Sequence, residues 1–407
     1  LNGAEARLAR LRGRALPRSH NARTIAALAA NPGCARRAIM DAAGVDKQRL
    51  AAYAGFPAPF GQSRFAFARG NAFEAQVKAA GGAELLRLLR EHLDLHIPEA
   101  HYDDLSEVGG NPSLDLRHAR TRSLLARAAT TASDAGTMFD HPLLRLEVGG
   151  RHAFLEPDLI AFQLHGKFHV VEIKSFAVID GQADGGKVAA AAIQSAVYVL
   201  ALRDALAEQQ IPPEAVSQET ILVCPENFSN RAVAVSLDVR KQLTVLRRQL
   251  SRIARIDGLL DLLPPGLTFD LDPDDTGVPR RRPADIANAV RQVDARYAPE
   301  CLNTCEMCYF CRDEARSCTQ VLGRDALEDL GCVEHIATVL SLARETGTAA
   351  AGADRAEAVG LLRTAATWPP WSAPIPAPRN CSSCRSRGTV TSVSPSRPTS
   401  PSPSWGT

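Results

Sequence analysis

Hydrophobic and polar positions alternate most regularly between Phe154 and Leu202. Two short apolar runs lie either side of a turn expected at His165-Gly166-Lys167, and each run carries one acid. The first holds Pro157-Asp158. In the second, Val170-Val171-Glu172-Ile173-Lys174, strand alternation puts Glu172 and Lys174 on one face and Val171 and Ile173 on the other. A polar turn follows, then a helix over 189–207 in which Gln194 and Tyr198, four apart, share a face. Thr220-Ile221-Leu222-Val223-Cys224-Pro225 reads as a buried strand and 232–235 as another. Upstream, a leucine stripe over 84–95 predicts a core helix, 81–150 reads as helices joined by loops, and 1–30 reads as an exposed helix.

This arrangement changes the picture once its chemistry is considered. Pro157-Asp158, thirteen residues, then Glu172-x-Lys174 brings two carboxylates to neighbouring strands. Hard oxygen ligands of that kind hold a divalent cation that activates water for phosphodiester hydrolysis. A lysine two residues after the second acid points the same way, where it can orient or deprotonate the water. A hairpin with surface Asp, Glu and Lys is the plain alternative, and a lone Glu-x-Lys favours it.

Together, Pro157-Asp158, Glu172-Ile173-Lys174 and Gln194-x3-Tyr198 resemble the PD-(D/E)xK nucleases, in particular the RecB-type branch with its Gln-x3-Tyr helix. The resemblance implies that Asp158 and Glu172 bind Mg²⁺ or Mn²⁺. It also implies that Lys174 serves the water and that Gln194 and Tyr198 support Lys174 and the nucleic acid. Gly70-x3-Glu74 at a helix start, after Arg69, resembles the first motif of that branch and adds Glu74 to the metal ligands. A helix-start glutamate favoured by the macrodipole is the alternative for Glu74. His141, His152, His165 and His169 match no metal-ligand spacing.

Charge adds little globally. Lys plus Arg number 47 against 45 Asp plus Glu, so a nucleic-acid partner would need a local basic groove. One candidate is the helix expected over 240–255, with Arg240, Lys241, Arg247, Arg248, Arg252 and Arg255 and no acid among them. No segment stands out as the roughly 20 apolar residues of a membrane span, and no signal core is evident, so a cytoplasmic protein is expected.

Ten cysteines in a reducing compartment are then not structural disulfides. Cys301, Cys305, Cys308, Cys311 and Cys318 crowd into one short stretch, which marks a metal or cluster site. With Cys34 far upstream, the run resembles the iron–sulfur members of the same nuclease family, the AddB-type domains and the CRISPR-adaptation exonucleases. There one cysteine ahead of the core and three after it hold a [4Fe–4S] cluster that staples the chain ends. The resemblance points to Cys34, Cys301, Cys305 and Cys311, with Cys308 and Cys318 in reserve and Zn²⁺ as the alternative occupant. The distal spacing departs from the usual Cys-x2-Cys-x5-Cys: Cys305-x5-Cys311 fits its second part, but Cys301 is one residue too far.

The expected fold is α/β, a restriction-endonuclease-like mixed sheet flanked by helices, with a helical and cysteine-rich lobe. Residues 1–30 would be a helical extension, 31–366 the nuclease domain with the cysteine lobe near 299–320, and 367–407 a disordered Pro/Ser/Arg tail. Cys381-x2-Cys384 within that tail lacks partners. The expected activity is metal-dependent hydrolysis of DNA, from single strands or frayed ends. The alternative is a non-catalytic nucleic-acid-binding or assembly subunit. The chain carries no phosphate-binding Gly-x4-Gly-Lys-Ser/Thr, so any helicase or processing partner would be a separate chain.

Overall fold

A computed structural model describes residues 3–58, 64–93, 100–106, 113–130, 136–149, 151–164, 167–227, 229–253, 256–344 and 356–367. The tail, Cys381, Cys384, Arg255 and the turn residues His165 and Gly166 lie outside them. The chain divides into two units, Leu1–Leu340 and Ser341–Thr407. In the second, the helix Ala356–Ala366 buries Val359.

Among the described residues the first unit carries eight strands: β1 (Ala100–Asp104), β2 (Gly136–Asp140), β3 (Leu144–Val148), β4 (Arg151–Leu155), β5 (Leu159–Leu164), β6 (Lys167–Ile173), β7 (Glu219–Pro225) and β8 (Ala232–Asp238). Six form a mixed sheet in the order β1-β2-β5-β6-β7-β8, while β3 and β4 make a separate antiparallel hairpin. The pairs β1–β2 and β6–β7 are parallel. A parallel step needs a crossover, and the helix Gly185–Ala207 provides it between β6 and β7.

Both faces of the sheet are covered, which explains why β6 is buried from Phe168 to Ile173. Val171, Ile173, Ile221 and Val223 share a core with Phe73, Val77, Leu85 and Leu89 of Arg64–Leu93. Phe168 and Val170 share the larger core with Ala196, Val197 and Leu200 of Gly185–Ala207. The alternation read from sequence is therefore observed, with a helix over each face. Arg64–Leu93 is broken at Ala79–Gly82, where three residues take left-handed backbone. A Cβ at Gly82 would sit 3.0 Å from the Tyr102 ring, so the break lets the second half close on β1.

Three expectations change. Residues 3–30 form two helices, Gly3–Arg12 and Ala22–Ala30, whose Leu8, Leu11, Ile25 and Leu28 are buried in the main core rather than exposed. The stretch 81–150 contains β1, β2 and β3; β1, Ala-His-Tyr-Asp-Asp, carries too little apolar alternation to announce itself. Finally, Gly185–Ala207 is long and apolar enough to cross a membrane by length and composition. It is mostly buried in the protein interior, as a crossover helix under a sheet must be.

Candidate active site and cysteine lobe

Register gathers the acids at one rim of the sheet. Asp104 pairs with Asp140 across β1 and β2, Asp140 with Leu159 across β2 and β5, and Leu159 with Val171 across β5 and β6. Asp158 and Glu172 therefore stand at the same level as Asp104 and Asp140. Asp158 Oδ2 accepts a hydrogen bond from the Ile173 N–H at 2.7 Å, which seats it between Glu172 and Lys174. Lys174 Nζ makes a close ion pair with Glu172 Oε1, and the Lys174 N–H donates to Val223 O at 2.9 Å, which fixes the strand end.

Glu172 is completely buried, and neither of its oxygens has a hydrogen bond of good geometry among the described residues. Burial, then the charge of Asp158, pushes its carboxyl up to about 8, against the pull of Lys174. Burial also raises Asp158, opposed by Lys174. For Lys174, burial favours the neutral amine, but Glu172 and Asp158 outweigh it and the ammonium is stabilised. Tyr198, buried on Gly185–Ala207, has its hydroxyl raised by burial and by the field of Glu172 and Asp158, so it stays protonated. Gln194 Nε2 donates to the Tyr198 hydroxyl at 3.1 Å. The structure thus brings Asp158, Glu172 and Lys174 together, with Tyr198 within their field and Gln194 bonded to it.

Glu74 belongs to a neighbouring network. Its carboxylate meets Lys78 at 2.5 Å and His141 Nε2 at 3.3 Å. Lys78 also reaches Asp140 at 2.6 Å, His141 Nδ1 lies 2.9 Å from Asp140, and the Tyr102 hydroxyl donates to Asp140 at 2.5 Å. Burial opposes ionisation of Glu74 and Asp140, yet hydrogen bonds from His141 and Lys78 hold both at about 2. Asp140 and Glu74 raise His141 to about 10. Ligand atoms of Asp104, Asp140 and His141 all lie within 4.8 Å of one another; Glu74, Asp158 and Glu172 do not form such a group. Sequence reading passed over Asp140, Tyr102 and Asp104. The (i, i+4) spacing of Glu74 and Lys78 was the visible signal, but nothing local marks Tyr102, which only the sheet brings in.

The Lys187 N–H donates to the capping Asp184 Oδ1 and its side chain is exposed. The basic helix spans Arg240–Ile253. It buries Leu243, Leu246 and Ile253, engages Asp238 with Arg240 and bonds Pro32 O with Arg252.

The cysteine lobe closes on the N-terminal helices. Cys301, Cys305, Cys308 and Cys311 are all buried in one core with Ile25, Ile39 and Met40, and Cys34 starts the facing helix Ala35–Ala43. Asn31 Nδ2 donates to Cys301 Sγ at 3.3 Å, and Arg36 Nη1 donates to Cys311 Sγ at 3.2 Å. Arg36 also pairs with Glu314, while Lys47 binds Glu306 at 3.1 Å. Cys311 is electrostatically coupled to Cys305 and Cys34, and Cys308 to Cys301. Burial raises Cys305 to about 11 and Cys311 to about 12, so these remain neutral thiols without a bound cation. Cys318 is half-buried, bridges to His335 by backbone and lies outside this cluster of buried thiols. Aimed donors and cationic side chains around buried sulfurs fit a thiolate-ligated group. The sulfurs do not form a set within 4.8 Å of one another, as tetrahedral zinc at Zn–S ~2.3 Å requires.

No protein-family model and no curated protein matches the chain. Among solved structures, one titled "Crystal structure of SSO0001" aligns at 12% identity over 61% of this chain and 84% of that chain, with a TM-score of 0.24. At that score the likeness carries no conclusion about fold or function.

Proposed function

We propose that the chain is a metal-dependent nuclease of the RecB-type PD-(D/E)xK class, acting on single-stranded DNA or frayed ends. The observation that carries this is the seating of Asp158 against the Ile173 N–H, between a buried, under-compensated Glu172 and Lys174. A carboxylate pair that resists ionisation on its own is one that a divalent cation stabilises. Bound Mg²⁺ or Mn²⁺ at Asp158 and Glu172 would lower the pKa of a water and offset charge on the phosphate. Lys174, as the ammonium, would orient that water and offset charge developing on the phosphate. Tyr198, protonated and braced by Gln194, donates towards the scissile phosphate. Glu74 assists from the adjoining helix. The chain's own cysteines, Cys34 with the buried Cys301, Cys305 and Cys311, and with Cys308 also buried, would hold an iron–sulfur cluster, with Zn²⁺ as the alternative occupant.

The test is degradation of labelled single-stranded DNA in Mn²⁺ by wild type and Lys174→Ala. Activity in wild type and its loss in the variant are expected. Equal activity in both, or none in either, leaves a nucleic-acid-binding or assembly subunit as the better account. Protein purified without oxygen should be brown, with absorbance near ~400 nm; colourless protein with stoichiometric zinc overturns the cluster.

A further inference from the structure

The opposite rim of the sheet holds a cleft of about 760 Å³, lined by the start of β6, the approach to β7, the end of β8 and two helices. Along β6, the cleft residues Lys167 and His169 stand five and three residue steps from Glu172, about 17 Å and about 10 Å at ~3.3 Å per residue. The cleft is therefore separate from the acidic rim, and a ligand held there is independent of the nuclease proposal.

Its chemistry centres on Arg203. That side chain projects from Gly185–Ala207 and is only 8% exposed. Its Nη2 donates to Val216 O at 3.2 Å, but its buried Nε has no acceptor. Guanidinium does not deprotonate in proteins, so a buried one needs a counter-charge. Arg203, Arg247 and Lys167, which all line the cleft, form no ion pair among the described residues. Burial, then Arg247, works against the charge of Arg203, with Glu214 in partial support. Arg240, also in the lining, is engaged by Asp238. Glu214 and Glu219 stand on the wall, so the cleft is not uniformly cationic, and an entering anion must be one that two guanidinium groups and an ammonium can enclose.

We propose that this cleft binds a terminal phosphate, with Arg203 as the buried anchor and Arg247 and Lys167 closing on it. A phosphate monoester offers several acceptor oxygens and accepts forked guanidinium donors, which leaves Arg203 Nε satisfied. The cleft volume accommodates a nucleoside as well as the phosphate, so the ligand is a mononucleotide or the phosphorylated end of a strand.

The full chain, held in EDTA to prevent hydrolysis, is titrated by calorimetry with thymidine 5′-monophosphate, 5′-phosphorylated oligothymidylate and the same oligomer without its phosphate. Binding of either phosphorylated probe, at least about tenfold tighter than the unphosphorylated oligomer, is expected. Monophosphate binding alone identifies a free nucleotide, and oligomer binding alone identifies a strand end. Arg247→Glu, an exposed substitution that should not disturb folding, is expected to weaken the phosphorylated probe by about tenfold or more. Arg203→Met should abolish binding; if that variant fails to fold, Arg247→Glu and the comparison of probes still decide. Equal binding of phosphorylated and unphosphorylated oligomer, no binding of any probe, or an unchanged Arg247→Glu variant overturns the proposal.

Discussion

Glu74 and Asp140 ionise at about 2, whereas Glu172, on the same rim, is pushed up to about 8 and Asp158 is raised with it. The residue types are identical and burial opposes the charged form in all four. What differs is the supply of donors. Asp140 meets Lys78, His141 and Tyr102, and Glu74 shares the first two. Among the described residues, Glu172 has an ion pair with Lys174 alone, and Asp158 accepts one backbone N–H. The first pair is compensated by two cationic partners, Lys78 and His141, although Asp140 Oδ1, like the Glu172 oxygens, has no hydrogen bond of good geometry among the described residues. The second pair shares one close lysine between two buried acids, and a cation placed there has the most to gain.

That contrast can be broken most severely in activity. Glu172→Gln should lower Mn²⁺-dependent degradation of single-stranded DNA by roughly 10²–10⁴-fold, measured as initial rate; a rate like wild type removes Glu172 from the chemistry. Next in size is stability in metal-free buffer. Lys78→Met strips a buried ammonium from Asp140 and Glu74 and should cost about 3–5 kcal/mol in urea unfolding. Glu172→Gln should be neutral or stabilising in the same assay, because it removes an under-compensated buried acid. A reversal of those two results would sink the comparison.

Acid sharpens it further. Glu74 and Asp140 have ordinary values of 4.5 and 3.8 and folded values of about 2. Between these limits the unfolded chain binds more protons, so their contribution is complete above about 4.5 and lost as pH falls through 2. Thermal melts of wild type across that window should drop more steeply than those of Lys78→Met, in which the carboxylates have lost their main cation. The smallest effect belongs to Tyr198→Phe, which loses the Gln194 bond and should cost about 1 kcal/mol.

Much of this was legible in the chain because strand alternation and helical spacing are local. Glu172 and Lys174 could be placed opposite Val171 and Ile173, and Gln194 beside Tyr198, from periodicity alone, and both relations hold in the fold. The Glu74 network was not legible in the same way. It joins a helix to the ends of β1 and β2, and neither strand alternates enough to be read. The N-terminal helices looked exposed because their apolar residues are sparse among Arg and Ala. Their buried face is defined by the distant cysteine lobe and crossover helix that cover it. The cysteine crowding announced a cluster of thiols and the family resemblance added Cys34, but only the fold shows Cys308 buried as deeply as Cys301.

The under-compensated acid pair is tested most directly by a Mn²⁺ titration of the metal-free chain, with free Mn²⁺ followed by electron paramagnetic resonance. Wild type should bind an ion that Glu172→Gln holds more than about tenfold less tightly, a loss of ~1.4 kcal/mol or more, while Asp104→Asn leaves it unchanged. Binding that survives Glu172→Gln and disappears in Asp104→Asn would move the cation to Asp104, Asp140 and His141, contradicting the assignment.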